Sequence, residues 1–322
     1  MLRVEPDFIY IKTNARVAER LDASYLKKTD EWRLPNTLGA LRDLHKEGFN
    51  VVQIGRDRVD KRTGFLLQKG GDPKLMSTMS QKLRQYQQQD ASFLLQADCL
   101  ANFSQQRTGK TPVMCEVIQQ RNVKTIVVCP SSLVLNWQEE LNNWTDLDVF
   151  LGKGTPKKRQ EAYSEFALTA EPSVLIISIG IAKQDVALLQ TMDYKMIVVD
   201  EAHFLRNHKT VQSKALYSLA RNAKYRYTLT GTPATNSPVD IYGLLAFLKP
   251  DRYTSYWQFV ERYFNVDSGH FGKKIGDFKS PLRKKELHEI IEAISVQRKR
   301  KDIMKWLPAK QHQVIKLEMG TK

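Results

Sequence analysis

Met196-Ile197-Val198-Val199 is an unbroken apolar run that ends in Asp200-Glu201-Ala202-His203. Four consecutive aliphatic side chains leave no polar face, so a strand here is covered on both sides, as in a parallel sheet flanked by helices. Ligands of such sheets sit at the carboxyl ends of the strands, where the acidic pair emerges. Gly109-Lys110-Thr111 stands earlier in the chain, and Thr228-Leu229-Thr230-Gly231-Thr232-Pro233 follows later. Each comes after a β-type run. A glycine-lysine-threonine turn and a strand-end acidic pair are the two halves of a nucleoside-triphosphate site. The turn holds phosphates, and the acidic pair holds magnesium and the attacking water.

Within the turn, Thr108 leads into Gly109, which lets backbone N–H groups converge on an anion at a helix N-terminus. Lys110 supplies a cation for the β- and γ-phosphates, and Thr111 a hydroxyl for Mg2+. The usual pattern has a glycine five positions before Gly109. Ser104 occupies that place, and Gln105-Gln106-Arg107-Thr108 fills the interval. Arg107 has two readings, a phosphate contact or a solvated side chain. Asp200 is expected to hold magnesium, and Glu201 to orient and polarise the attacking water. His203 is placed by its spacing on the γ-phosphate side, with two readings: a partner of Thr230 or Thr232, or a surface histidine. Ahead of the turn, Leu83-Arg84-Gln85-Tyr86-Gln87 contributes Arg84 and Gln87 as further nucleotide contacts. A glutamine amide offers a donor and an acceptor to an adenine edge, so Gln87 is the expected base reader and ATP the expected nucleotide.

The net charge is +15, with a sequence pI near 9.6, which favours a polyanionic partner, nucleic acid before membrane. Residues 265–322 hold 14 basic and 7 acidic residues, about half of that excess. Pro130-Ser131-Ser132-Leu133-Val134-Leu135-Asn136-Trp137 follows a buried strand. Ser131, Ser132 and Asn136 there are candidate contacts to nucleic-acid phosphates; an ordinary serine N-cap satisfies the same pattern. Asn207 and Lys209, within Arg206-Asn207-His208-Lys209, and Thr232 complete the candidate nucleic-acid surface.

The chain divides into three expected units. Residues 1–72 form a small α+β domain, with strands at Phe8–Ile11, Trp32–Pro35 and Phe49–Ile54 and helices at Ala15–Leu21 and Thr37–His45, closed by the linker Gly70-Gly71-Asp72-Pro73. Residues 73–265 alternate helix and strand, with helices over Lys82–Leu95, Thr111–Gln120 and Leu133–Trp144. Their strands are Lys124–Cys129, Ser173–Ile179, Met196–Val199 and Tyr225–Leu229. The aromatic-rich, helical stretch 236–265 is read as packing on the sheet in preference to base stacking. Residues 266–322 are a basic extension, with a loop at Gly269–Gly276, a helix over Leu287–Met304 and a strand at Gln313–Leu317. Cys99, Cys115 and Cys129 lack metal-type spacing and read as buried reduced thiols. The chain contains no run of eighteen apolar residues and its first residues are not a signal peptide, so a cytoplasmic location is expected and no membrane partner.

Residues 81–322 resemble the first RecA-like lobe of superfamily 2 motors of the Swi/Snf type. The resemblance rests on the Leu83–Gln87 stretch, Thr108-Gly109-Lys110-Thr111, Cys129-Pro130-Ser131-Ser132-Leu133, Asp200-Glu201-Ala202-His203 (a DEAH box) and Thr230-Gly231-Thr232-Pro233. It continues in Asn236-Ser237-Pro238-Val239-Asp240-Ile241-Tyr242, Phe247-Leu248-Lys249-Pro250, Arg298-Lys299-Arg300-Lys301-Asp302 and Leu307-Pro308-Ala309-Lys310. The form Gln105-Gln106-Arg107-Thr108-Gly109-Lys110-Thr111-Pro112 looks like bacteriophage members, which implies a host cytoplasm. Tyr25, Trp32 and Pro35 are similar to the HARP module of annealing helicases, which implies forked or branched DNA; a generic small α+β domain accounts for the same residues.

The resemblance implies ATP-driven translocation on duplex, forked or junction DNA in replication, recombination or repair. It also implies a second RecA-like lobe, in the same or another chain, carrying arginine fingers; such a lobe is not expected within residues 1–322, and turnover by these residues alone is not expected either. Two other readings stay open: an RNA helicase of the same superfamily, and a nucleotide-gated DNA-binding module without motor activity. Lys110→Ala is expected to abolish ATP binding and spare the fold, because the charge serves a ligand and not a core. Titration calorimetry with ATP and Mg2+ checks this, and equal affinity in the variant and the unaltered chain would remove the site assignment.

Overall fold

The computed structural model describes residues 2–4, 8–21, 23–26, 29–35, 44, 47, 49, 73–234, 237–269 and 272–303. Residues 50–54 of the strand expected at Phe49–Ile54, most of the helix Thr37–His45, the linker glycines, Asn236, the Leu307–Lys310 block and the strand Gln313–Leu317 lie outside the described residues. The N-terminal unit has strands β1 (Leu2–Val4), β2 (Phe8–Ile11), β3 (Ser24–Leu26) and β4 (Glu31–Pro35), all antiparallel in the order β1-β2-β4-β3. Its helix Ala15–Arg20 starts where the Asn14 side chain accepts from the Val17 N–H at 2.9 Å. Ile9, Ile11, Leu21, Leu34 and Leu44 form its small core.

The main sheet draws on β5 (Cys99–Asn102), β6 (Thr125–Cys129), β7 (Asp148–Gly152), β8 (Ser173–Ser178), β9 (Met196–Val199) and β10 (Tyr225–Leu229). A hairpin of β11 (Phe264–Gly269) and β12 (Gly272–Phe278) follows, and β13 (Ser295–Val296) returns to the sheet. The seven-stranded order is β13-β5-β10-β9-β6-β8-β7, and every pair is parallel. The consecutive apolar residues sort by alternation. Ile197 and Val199 face one core with Ile126, Val128, Leu175 and Ile177. Met196 and Val198 face the other with Val127, Val174 and Ile176. Each buried aliphatic side chain contributes about 1.5–3 kcal/mol relative to exposure, so helices must cover both faces. The helices Gln85–Leu95, Lys110–Arg121 and Val134–Trp144 cover one; Pro156–Leu168, Val211–Asn222, Ile241–Leu248 and Tyr256–Tyr263 cover the other. This is a RecA-like parallel sheet with helices on both faces, preceded by a small antiparallel sheet, as the sequence led us to expect.

Two sequence expectations are corrected. Gly269 to Gly276 is not a loop but lies largely in the β11–β12 hairpin. Its glycines and lysines conceal a register that sets Val266 opposite Ile275 and stacks Phe264 on Phe278 with centroids 4.7 Å apart. The continuous helix over Leu287–Met304 is in fact a helix Pro281–Ile294, strand β13 and a short helix Arg300–Ile303. Ser295 and Val296 leave the helical path because the free edge of β5 offers a parallel ladder and Val296 becomes buried there. The sheet of the unit proposed to end at residue 265 therefore takes its edge strand from beyond that point. β5, β7 and the helices Pro156–Leu168 and Val211–Asn222 were not named from the sequence; β7 is a half-exposed edge strand with a weak apolar signal.

The aromatic stretch packs as expected: Tyr242, Phe247, Phe259, Tyr263 and Phe264 are all buried in the core. Beneath it a buried carboxylate, Glu286, accepts from Arg262 Nη2 at 3.0 Å, Arg283 Nη1 at 2.8 Å and the Tyr263 hydroxyl at 3.2 Å. Two guanidinium groups offset the cost of taking that charge out of water. Arg283 Nη2 also reaches the Leu21 carbonyl at 3.5 Å, which ties the N-terminal unit to this cluster.

Gly243 packs so closely on the Leu205 carbonyl that a side chain there would overlap it. Gly243→Ala is expected to push back the turn that follows Asp200-Glu201 and to destabilise the chain by about 1–3 kcal/mol. Chemical denaturation monitored by circular dichroism checks this, and an unchanged midpoint would show that the turn yields freely.

Candidate nucleotide-binding site

β5, β10 and β9 are neighbours, so the loops leaving their carboxyl ends meet although they are far apart in sequence. The first is the phosphate-loop segment Phe103–Gly109. It opens into the helix Lys110–Arg121 through Gly109, whose φ is +79°. A side chain at Gly109 would meet only the movable amide end of Gln87, so it is the left-handed conformation that calls for glycine there. Arg107 also has a left-handed φ, +66°. A non-glycine residue there costs about 1–2 kcal/mol, which the surrounding hydrogen bonds must offset. The Arg107 side chain is exposed, and Thr108 is buried, its hydroxyl donating to the Gln105 carbonyl at 2.8 Å.

Lys110 Nζ donates to the Ser104 and Gln105 carbonyls at 3.1 and 3.3 Å. Burial lowers its pKa, while the nearby charges of Asp200 and Glu201 oppose that shift. The lysine thus rests folded on its own loop in the field of the acidic pair. Its replacement partner would be an anion, since carbonyl oxygens satisfy an ammonium less well than phosphate does. Thr111 follows in the first helical turn, half-buried.

Asp200 sits at the end of β9, buried, with each carboxylate oxygen accepting one hydrogen bond. Trp137 Nε1 donates to Oδ2 at 2.9 Å, and the Glu201 N–H donates to Oδ1 at 2.8 Å. Burial raises the Asp200 pKa, and these two donors hold it down against that. Glu201 adopts φ +47°, which turns the chain sharply into the short 3-10 helix Ala202–Arg206. His203 Nδ1 meets Glu201 Oε2 at 3.2 Å. This corrects the expected partnership with Thr230 or Thr232, because the turn folds the histidine back onto its own strand end. Thr230 is instead buried and accepts from the Thr232 N–H at 3.2 Å. Gly231 lies against the Gln106 N–H and the Ser104 carbonyl, so the third loop touches the first.

Gln87 is buried, and its Oε1 accepts from the Arg84 N–H at 2.9 Å. The Tyr86 hydroxyl donates to the Thr108 carbonyl at 3.1 Å. The Tyr86 hydroxyl thereby fixes the helix Gln85–Leu95 to the loop, Gln87 closes the helix's own first turn, and the exposed Arg84 side chain stands at its start. The nucleic-acid candidates fall on adjacent strand ends. Ser131, Ser132 and Asn136 follow β6, Asn207 and Lys209 follow β9, and Thr232 follows β10; all six are exposed. The Asn207 side chain accepts from the Lys209 N–H at 3.2 Å, which shapes that loop.

Sequence reasoning missed Trp137 as a site residue, along with Tyr86 and Asn102, whose Oδ1 accepts from the Ser104 N–H at 3.0 Å. Trp137 lay in a quoted motif, but no local pattern points to a partner 63 positions away.

A parallel sheet with a phosphate loop, a strand-end acidic pair and a contacting third loop defines a RecA-like lobe. The chain belongs to the SNF2-related domain family, whose model matches residues 14–322. It is 32% identical over 197 residues to the probable ATP-dependent DNA helicase CHR23 of Arabidopsis thaliana, covering 61% of this chain and 18% of that protein. It is 26% identical over 205 residues to the DNA annealing helicase and endonuclease ZRANB3 of Mus musculus, covering 60% of this chain and 18% of that one. The chain thus spans less than a fifth of the length of these curated relatives. Its fold is similar to the Sulfolobus solfataricus SWI2/SNF2 ATPase core in complex with dsDNA, with a TM-score of 0.54, 23% identity and coverage of 69% of this chain and 45% of that one.

Trp137→Phe removes the N–H that holds the Asp200 pKa down. With Asp200 read as the magnesium ligand, nucleotide binding needs it ionised, the form present above its pKa. The variant's pKa rises, so its ATP affinity is expected to fall away at a higher pH than in the unaltered chain. The lost hydrogen bond and volume are expected to cost about 2 kcal/mol of stability. Calorimetric affinities across pH, beside a denaturation curve, check both effects.

Proposed function

We propose that this chain is the ATP-binding first lobe of a DNA translocase or helicase that acts on forked or branched duplexes. The observation that carries this reading is the meeting of the phosphate loop, Asp200-Glu201 and the Thr230–Pro233 turn at three adjacent strand ends. The donor set fits Mg·ATP. Gly109, at its φ of +79°, opens the helix whose first backbone N–H groups face an anion, and Lys110 needs only to leave two carbonyls. Thr111 and Asp200 supply the one or two protein oxygens that a nucleotide-borne magnesium takes. Bound magnesium would neutralise charge developing on the phosphates.

In this reading Lys110 swings from Ser104 and Gln105 to the β- and γ-phosphates. Gln87 and Arg84 face the base side. Glu201 holds the attacking water and takes its proton as the terminal P–O bond breaks to give ADP and phosphate. His203, bonded to Glu201, holds that carboxylate in place. Arg107, exposed beside the loop, is placed to meet phosphate. Ser131, Ser132, Asn136, Asn207, Lys209 and Thr232 line the strand ends for the DNA backbone, in keeping with the charge of +15. A second RecA-like lobe completes the site. A bacteriophage-type origin, a HARP-like role for residues 1–72 and a cytoplasmic setting belong to the same proposal. The likeness to ZRANB3, a DNA annealing helicase and endonuclease, supports the branched-DNA part.

The test is ATP hydrolysis by these residues joined to a second lobe, with plain duplex, forked DNA and RNA as effectors. Forked DNA is expected to stimulate most, and Glu201→Gln is expected to bind ATP without turnover. Stimulation by RNA alone would favour the RNA-helicase reading. Nucleotide-dependent DNA binding without turnover would favour the gated module.

A further inference from the structure

The chain returns to the phosphate loop after the sheet domain is otherwise complete. β13 pairs with β5, and its continuation runs beside the loop. The Phe103 N–H donates to the Val296 carbonyl at 2.8 Å, and the Gln105 N–H to the Arg298 carbonyl at 2.9 Å. In the opposite sense, the Arg298 N–H donates to Ser104 Oγ at 3.0 Å, and the Arg300 N–H to Gln105 Oε1 at 2.8 Å. The Arg298 guanidinium then crosses to the helix Gln85–Leu95. Its Nε donates to Asp90 Oδ1 at 2.8 Å, and its Nη2 meets Asp90 Oδ1 at 2.7 Å and Gln89 Oε1 at 3.3 Å. Asp90 and Ser104 are both buried.

We infer that the segment Ser295–Arg300 is a brace for the nucleotide site, with Arg298 the positioning residue that holds the phosphate loop against the helix bearing Gln87. This rests on the reading of Gly109-Lys110-Thr111 as the ATP site. The physical need is local. The loop has Ser104 where the usual glycine stands and a left-handed Arg107. Such a conformation persists only where neighbours over-determine it. Ser104 and Gln105 are the residues the brace grips, and their carbonyls are the ones Lys110 occupies. The serine hydroxyl that stands in the glycine's place accepts from the backbone N–H of Arg298, whose guanidinium anchors that stretch of backbone to Asp90. Arg298 touches no reacting atom in this arrangement. It acts through Ser104 on one side and Asp90 on the other.

Calorimetry with ATP and Mg2+ on the 322-residue chain tests this, with a thermal melt of each variant alongside. Arg298→Ala is expected to weaken ATP binding about tenfold, and Arg298→Lys, which can still reach Asp90, to recover part of it. Asp90→Asn is expected to weaken binding as well. The double variant Asp90→Asn with Arg298→Ala is expected to be no weaker than the worse single one, as for residues acting as a unit. A lowered melting temperature with unchanged ATP affinity would make the contact purely structural and overturn the brace. In the unaltered chain, amide hydrogen exchange over residues 295–300 is expected to slow on adding ATP and Mg2+. Unchanged exchange there would overturn the proposal even if a variant failed to fold. Failure of the unaltered chain to bind ATP would defeat the site reading itself. ATP binding that is lost in Lys110→Ala but unaffected in the Arg298 variants would defeat only the brace.

Discussion

Everything polar in this lobe is placed by one constraint: both faces of the seven-stranded sheet are buried. Its central strands carry aliphatic side chains on each side, so helices seal them and no functional group has room along the strands. The candidate nucleotide chemistry therefore falls at the strand ends. The order β5-β10-β9 then decides which loops meet. A strand inserted between β5 and β10, or an exchange of β9 with β6, would separate Lys110 from Asp200 without altering any motif.

The same burial makes charge expensive, and the protein answers with close pairing. Asp200 is held by an indole N–H and a backbone N–H, with Lys110 nearby. Glu286 is held by Arg262 and Arg283. Asp90, whose pKa burial raises to about 6, is met by Arg298. Losing one partner in any of these strands the other charge in a low-dielectric setting, which costs more than the pair itself contributes. The clusters also join different layers. Glu286 lies where the helical cover meets the N-terminal unit, and Asp90 where the returning chain meets the phosphate loop.

Membership of the SNF2-related domain family agrees with this architecture, and the family model extends over the returning segment as well as the sheet. That segment's basic residues are read from sequence as part of one basic helix over Leu287–Met304. The structure gives Arg298 a different task, beside a buried carboxylate, while Lys299 and Arg300 remain exposed. Charge composition alone did not separate the two kinds of cation.

Sequence reading alone reaches the strands expected at Met196–Val199, Tyr225–Leu229, Ser173–Ile179 and Lys124–Cys129, the helix Leu133–Trp144 after the last of these, and the position of each motif at a strand end. These are local, one-dimensional signals: an apolar run has no polar face wherever it lies. Edge elements were less legible. The β11–β12 hairpin and β13 have weak patterns, because an edge strand forms where a neighbour offers a ladder and not where its own residues demand one. Only the tertiary structure decided that His203 turns to Glu201, that Trp137 caps Asp200 across 63 positions, and that Arg298 reaches Ser104 across 194. Those contacts depend on strand order and on the path of the returning chain, which arise from packing the whole sheet and leave no periodic trace in the residues that make them.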